Sequence, residues 1–384
     1  MRLSLLLLLI NYFVSAQNWT VESVFPGGKR DDAVGFSIGN VGFVGSGRDD
    51  GFQYRRDFYC YENEQWKSID PLIGIARQYS TSFSFSQSGC ILTGIDANGS
   101  LLNENQCYDI VDTKWQIKTP FPGTARLQSV SFSVDGFGFC GQGRTSTQSF
   151  SDWYKYDVTT DSWSAISAFP NANYENISFT INGIGYVGLG KDLNGNYYDS
   201  FYAYNPISDS WSALANFPGN TRIYSIGFAQ NGKGYVCTGQ DENDVFTNEF
   251  WEYEPVEDLW TQLTSPPIIP NRGVAQFTVD NCSYIVSGLD STYNRVDETW
   301  AFCSTKSTST KIILFPNPAS ETVLLISTAT SYEITNINGT IIKSEMILNE
   351  ETFIDVSKLA IGVYILETID SFGERLATKL VVKH

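Results

Sequence analysis

Short runs in which apolar and polar residues alternate, broken by Asn, Asp and Gly, recur along most of the chain. Residues 224–229, a turn at 230–233 and residues 235–238 form one example. Alternation with a period of two predicts half-buried strands, and the turn residues predict hairpins. A third run in each unit carries a tyrosine and a fourth a tryptophan, so each unit reads as four antiparallel strands.

The unit repeats. Trp19, Trp66, Trp115, Trp163, Trp211 and Trp260 follow one another at intervals of 47, 49, 48, 48 and 49 residues. Glycines keep the same period at Gly47, Gly94, Gly143, Gly190, Gly239 and Gly288, as do Phe36, Phe83, Phe132, Phe179, Phe228 and Phe277. A tyrosine stands seven residues before the tryptophan at Tyr59, Tyr108, Tyr156, Tyr204 and Tyr253, with Phe302 completing the set. Several residue classes therefore report six units of about 48 residues. A four-stranded unit of this period buries its face only against the next unit, which predicts a six-bladed β-propeller over residues 17–303. The sixth unit ends at 299–302 without a tryptophan strand, whereas the Trp19 strand precedes the first complete unit. The N-terminal strand is thus expected to complete blade six and close the ring, leaving no free edge. The tryptophans and phenylalanines, supplied equally by every blade, read as core between blades.

A glycine before a strand's end, a tyrosine, and a tryptophan seven residues later resemble the kelch repeat across residues 17–303. The kelch double glycine is absent from all six units. Gly45-Ser46-Gly47, Gly141-Gln142-Gly143 and Gly188-Leu189-Gly190 replace it, or single glycines at Gly94, Gly239 and Gly288. The resemblance therefore implies a divergent kelch-like propeller.

The ends differ in character. Residues 1–16 combine a positive start, a leucine-rich run and a small-residue exit, as a signal peptide does, with Gln17 as the expected mature start. Residues 304–311 are a Ser/Thr/Lys linker. Residues 312–384 hold strand-like runs at 312–315, 323–326, 332–334, 340–342, 352–356, 363–368 and 377–382, the pattern of a small β-sandwich. The series Phe315-Pro316-Asn317-Pro318-Ala319-Ser320, then 332–339, 354–359, Gly362-Val363-Tyr364 and 379–383 resembles the C-terminal sorting domain of type IX secretion substrates. The resemblance implies passage across an outer membrane, handling by the secretion and sorting machinery, and release or attachment at the cell surface. No other stretch is apolar enough for a transmembrane segment in the mature chain.

Composition narrows the chemistry. Of 384 residues, 42% are hydrophobic and 17% charged, enough for a full core. Net charge is −17, and residues 17–303 hold 17 basic and 33 acidic side chains, a net of −16. Such a body repels nucleic acid and anionic lipid. The only histidine is His384, which excludes Ser/His/Asp and Cys/His nucleophiles and the copper chemistry of kelch-type galactose oxidases. No cofactor and no metal site is expected. Turn-rich loops such as Asp96-Ala97-Asn98-Gly99-Ser100, Asp192-Leu193-Asn194-Gly195-Asn196 and Asp241-Glu242-Asn243-Asp244 offer oxygen atoms, but the Asn-Gly loops lack the bidentate Glu of a calcium loop.

Seven cysteines in an exported chain permit disulfides. Counted from the tryptophan phase, Cys90 and Cys107 lie at −25 and −8, and Cys282 and Cys303 at −27 and −6. Equal sums face one another across an antiparallel pair, so Cys90–Cys107 and Cys282–Cys303 are the expected bridges. Cys140 and Cys237 share one position and are expected as buried thiols, with Cys60 left over.

Arginine follows the tryptophan by eleven residues at Arg30, Arg77, Arg126 and Arg222, and by twelve at Arg272. A second basic layer follows the repeating glycine at Arg48, Arg144 and Lys191. On an acidic body these side chains would form a positive funnel for a carboxylate or phosphate, or would tether neighbouring blades by bonding carbonyls and acids. Glu175, where the arginine series breaks, is the weak catalytic candidate: a general base whose pKa the cations would pull down, or a plain surface residue. Two functions remain: a secreted or cell-surface binding module for a protein or glycan, slightly favoured and not an enzyme, or an enzyme acting on an acidic sugar, such as a sialic-acid mutarotase-like epimerase.

Overall fold

In the computed structural model the chain divides into two compact units, one within residues 16–304 and one containing residues 305–384. The structure describes residues 18–303, 313–327, 329–347, 351–369 and 375–383. The expected signal peptide and linker, and His384, lie outside the described residues. Among the described residues every element is a strand.

The N-terminal unit consists of antiparallel sheets that follow the repeat. The first contains Val34–Ile38, Val41–Gly45, Phe58–Glu62 and Gln65–Ile69 in that order, and the second Thr81–Ser84, Ser88–Leu92, Asn105–Asp109 and Lys114–Lys118. The third contains Val130–Val134, Phe137–Gly141, Trp153–Asp157 and Ser162–Ile166. The fourth contains Ile177–Ile181, Ile184–Gly188, Phe201–Asn205 and Ser210–Ala213, and the fifth Ile226–Gln230, Lys233–Cys237, Phe250–Glu254 and Leu259–Leu263. In the sixth, Ala275–Val279, Cys282–Asp290 and Arg295–Cys303 are joined by Asn18–Val21, which sets Trp19 opposite Phe302. The first strands of the sheets pack side by side in chain order, and that of the sixth packs against that of the first.

Burial follows the sequence pattern. First strands alternate between buried and half-buried positions, as in Val34–Ile38 and Ile177–Ile181. Second strands are buried over four consecutive residues, because sheets cover both their faces. The repeating phenylalanine stacks on an aromatic ring of the second strand: Phe36 on Phe43 at 5.1 Å, Phe132 on Phe139 at 5.1 Å, Phe277 on Tyr284 at 4.6 Å. In the second sheet Cys90 takes that ring's place opposite Phe83.

Five of the six phenylalanines also lie over a glycine of the next sheet. An added Cβ at Gly89 would fall on Phe36, at Gly138 on Phe83, at Gly185 on Phe132, at Gly234 on Phe179, and at Gly42 on Phe277, which carries the series from the sixth sheet to the first. These glycines are close-approach positions. The glycines of the sequence repeat instead have positive φ, from 84° at Gly47 to 121° at Gly288.

The expected disulfides are present as Cys90–Cys107 and Cys282–Cys303. Each pair is directly opposed in its ladder. Cys140 and Cys237 are buried thiols, pushed up to about 12 by burial, and Cys60 is a half-buried free thiol.

Two register expectations need correction. Tyr61, not Tyr59, faces Trp66, as Tyr108 faces Trp115, because the hairpin between them is two residues shorter in the first sheet. Tyr59 packs edge-on against Phe25, the place taken by Tyr154 against Phe121 and Tyr202 against Phe169. Likewise Asn271 pairs with Asp290 as Arg222 pairs with Asp241 and Arg30 with Asp49, so Asn271 occupies the arginine position and Arg272 stands one residue beyond it.

In the C-terminal unit a three-stranded sheet (Ile313–Phe315, Thr322–Ile326, Glu351–Asp355) and a four-stranded sheet (Ile341–Met346, Ser331–Asn336, Gly362–Ile369, Arg375–Val382) share one core. Val323, Leu325 and Ile354 come from the first, Tyr332, Ile334, Leu366 and Leu380 from the second.

Candidate functional site: a six-residue ring and its arginine

The arginine series divides by environment. Arg30, Arg77, Arg126 and Arg222 are fully buried. Their heads are held by Asp57, Glu104, Asp152 and Glu249. Each also donates to the carbonyl sixteen residues on, at Ser46, Thr93, Gln142 and Thr238, just before the repeating glycine. Arg126 is the most fully engaged. Its two terminal nitrogens reach Asp152 at 2.5 and 2.9 Å, its Nε reaches the Thr124 carbonyl at 2.8 Å, and its head lies 3.9 Å over the Phe150 ring. In the fourth repeat Asn173 donates to the Leu189 carbonyl instead, and the acid position is Ser200, so cation and acid are lost together. These four arginines tie strands to turns.

Two residues after this phase stand Asp32, Tyr79, Gln128, Glu175, Tyr224 and Gly273. All six have φ between 52° and 61°. The left-handed bend lets the backbone N–H of one donate to the equivalent carbonyl of the repeat before it: Gln128 to Tyr79, Glu175 to Gln128, Gly273 to Tyr224, and Asp32 to Gly273. A chain conformation that most side chains avoid is therefore held by bonds between repeats. The six surround one cavity of about 130 Å³, floored by Ala33, Ser80, Ser129, Asn176, Ser225 and Val274.

The same repeat geometry continues inward, where Ser82, Ser131, Ser178 and their equivalents line two more cavities. There the hydroxyls serve the fold. Ser82 donates to the Gly35 carbonyl, Ser131 to that of Ser82, and Ser178 to that of Ser131, each joining one first strand to the next.

The six-residue ring is chemically uneven. Gln128 donates its amide to Glu175 Oε1 and accepts from Arg144 Nε at 2.7 Å. The Tyr79 and Tyr224 rings lie 6.2 Å apart, and Arg272 lies 4.3 Å over Tyr224 and 5.6 Å from Phe246. Glu175 Oε2, and Nε and Nη1 of Arg272, are buried with no hydrogen-bond partner among the described residues. Glu175 lines the cavity; Arg272 does not, but it lies over Tyr224 and precedes Gly273, which do. Unpaired buried polar atoms of opposite kinds cost free energy that a bound polar molecule would recover.

Glu175 was expected to be pulled down by its cations. Burial outweighs Tyr224, Lys191, Arg144 and Arg272 and pushes its carboxyl up to about 7. Asp32 is also raised, by burial and then by Asp31, and Tyr79 is raised by Asp32 and by burial. The folded protein therefore holds the Glu175 proton where the unfolded chain, near 4.5, has released it. Stability is expected to fall as pH rises from about 5 to about 8. Glu175→Gln should flatten that slope and be the more stable protein at the alkaline end, measured by thermal unfolding across pH; an unchanged slope would contradict this account of Glu175.

Of the second basic layer, Arg144 stacks 4.8 Å over Tyr174, Lys191 lies 5.2 Å over Tyr197, and Arg48 lies 4.7 Å over Phe52. The acidic loops are capped turns. Asp96 accepts from the backbone N–H groups of Asn98 and Ser100 at 2.9 and 2.7 Å, Asp192 from those of Asn194 and Asn196 at 2.8 and 3.0 Å, and Asp241 from those of Asn243 and Val245 at 2.9 Å each.

Asp32, Tyr79, Gln128 and Tyr224 escaped the sequence reading. The signal was there: two residues past a nearly uniform arginine phase, the six repeats carry five different residue types.

In the C-terminal unit, residues 313–383 match the family of secretion system C-terminal sorting domains. This unit is a type IX sorting domain. The sorting domain implies export by type IX secretion, to the cell surface or beyond it, and interaction with the secretion machinery. No helix among the described residues is long and apolar enough to cross a membrane. No curated protein matches the chain.

Proposed function

We propose that the N-terminal unit is a six-bladed kelch-like β-propeller, closed by its N-terminal strand, that works outside the cell as a binding module for a glycan or protein. The sorting domain delivers it, and the mouth of the central channel is its site. The packing of Phe277 over Gly42 and the bond from Asp32 to Gly273 support a closed ring, since each joins the sixth repeat to the first in the way that other repeats are joined.

The observation that carries the binding reading is the uneven ring. Repeats that are otherwise alike bring Asp32, Tyr79, Gln128, Glu175 and Tyr224 to one cavity, with an unpaired acceptor on Glu175 and with unpaired donors on Arg272, which lies over Tyr224. Structure alone favours one residue type copied six times; a ligand of low symmetry favours differences. Aromatic faces beside forked and carboxyl hydrogen-bonding groups suit a sugar. The arginines that remain for such a ligand are Arg272, Arg144 and Arg48, with Lys191, because Arg30, Arg77, Arg126 and Arg222 already hold acids.

A second reading, an enzyme acting on an acidic sugar, is favoured by Glu175 alone. A carboxyl held near about 7 and close to Tyr224 can both give and take a proton near neutrality. Calorimetric titration with sialic acid, galacturonate and galactose, together with anomer exchange followed by NMR, separates the two. Saturable sugar binding with exchange at the uncatalysed rate is expected for the binding module. Accelerated exchange that Glu175→Gln abolishes would instead establish the enzyme.

A further inference from the structure

We infer that the cavity takes an organic carboxylate together with one proton, Arg272 forking onto the anion while protonated Glu175 donates a hydrogen bond to it. This rests on the reading of the cavity as a binding site. It adds the sign of the ligand's charge and a regulation by pH.

Arg144 spends its Nε on Gln128 and lies on Tyr174, and Lys191 lies between Tyr174 and Tyr197. Arg272 is different: it stacks on Tyr224, yet Nε and Nη1 have no partner among the described residues. The Tyr224 ring holds the guanidinium flat, and either of its edges, Nε with Nη2 or Nη1 with Nη2, can face the two oxygens of a carboxylate.

Glu175 decides when that anion can enter. Its Oε1 is taken by Gln128, Oε2 has no hydrogen bond of good geometry among the described residues, and the Tyr224 hydroxyl stands close enough to the carboxyl to favour its charged form. Every neighbouring element contributes a group that feels its charge. Arg144 comes from the third repeat; Tyr174, Lys191 and Tyr197 from its own; Tyr224 from the fifth; Arg272 from the sixth; Asp32 from the first and Tyr79 from the second. Ionised, Glu175 repels an anion on Arg272 and offers only acceptors. Protonated, Oε2 becomes a donor. Solvent supplies the proton, Glu175 Oε2 keeps it, and no bond of the ligand changes. The position of the Glu175 carboxyl near about 7 places this exchange in the neutral range.

The test is calorimetric titration of galacturonate, with galactose as the neutral counterpart, into the intact chain at about pH 6 and about pH 8. Galacturonate should bind about tenfold more weakly at the higher pH, with uptake approaching one proton there, read from two buffers of different ionisation enthalpy. Glu175→Gln carries a permanent amide donor, so it should bind galacturonate equally at both values, close to the wild-type affinity at about pH 6. Galacturonate binding without pH dependence or proton uptake overturns the inference and leaves the binding site standing. So does galactose binding as tightly as galacturonate, or a tenfold dependence that survives in Glu175→Gln. Failure of both sugars to bind at either pH overturns the site reading itself.

Discussion

Arg126→Ala should destabilise the N-terminal unit by about 2–4 kcal/mol, a loss visible in denaturant or thermal unfolding. The substitution removes a fully buried guanidinium, leaving the Asp152 carboxylate, with about a third of its side chain still exposed, and the Gln142 and Thr124 carbonyls without their donor. It also removes the contact with Phe150. Partial exposure of Asp152 keeps the cost toward the lower part of the range for broken buried pairs. The fourth repeat supplies a control, because it has Asn173 and Ser200 at these two positions. Arg126→Asn with Asp152→Ser should therefore recover part of the loss, a coupling that a double-mutant cycle measures. Wild-type stability in Arg126→Ala, combined with loss of sugar binding, would return this arginine to the list of ligand contacts.

Trp19→Ala should cost about 3 kcal/mol and make the protein self-associate. Trp19 lies opposite Phe302 in the sixth sheet, with ring centroids 5.1 Å from Phe302 and 5.4 Å from Phe250. Its strand pairs only with Arg295–Cys303 among the described strands, so weakening it uncovers that edge. A buried pair, Arg295 with Asp31 at 2.7 Å, is left to hold the same seam. Unfolding followed by fluorescence and light scattering would show both effects. A monodisperse Trp19→Ala protein of unchanged stability would contradict the role given to the N-terminal strand.

Much of this was legible from periodic residues. The repeat exposed the hairpins, the strand borrowed from the N-terminus, and both disulfides, because ladder register is arithmetic once the phase is known. The arithmetic failed where spacing and register part company. Two residues missing from the hairpin before Trp66 moved Tyr61 into the place assigned to Tyr59, and one extra residue moved Arg272 off the arginine position. That second slip bears on the proposed site: Arg272 has no direct ion pair of the kind that holds Arg30, Arg77, Arg126 and Arg222, and lies over Tyr224 with Asp32 as its strongest attractive neighbour. Periodicity also concealed the ring itself, since Asp32, Tyr79, Gln128, Glu175, Tyr224 and Gly273 share a backbone conformation but no one side-chain type. The direction of the Glu175 shift depends on how completely the other repeats enclose it, and no count of nearby arginines supplies that.

The central claim is that the uneven ring and Arg272 form the binding site. Titration of galacturonate into wild type and Arg272→Gln, at about pH 6 and with matched unfolding curves, tests it most directly. The account predicts saturable binding by the wild type and at least a tenfold loss in a variant that remains folded, the cost of removing a forked contact to a carboxylate. Equal affinity in the two proteins would contradict it.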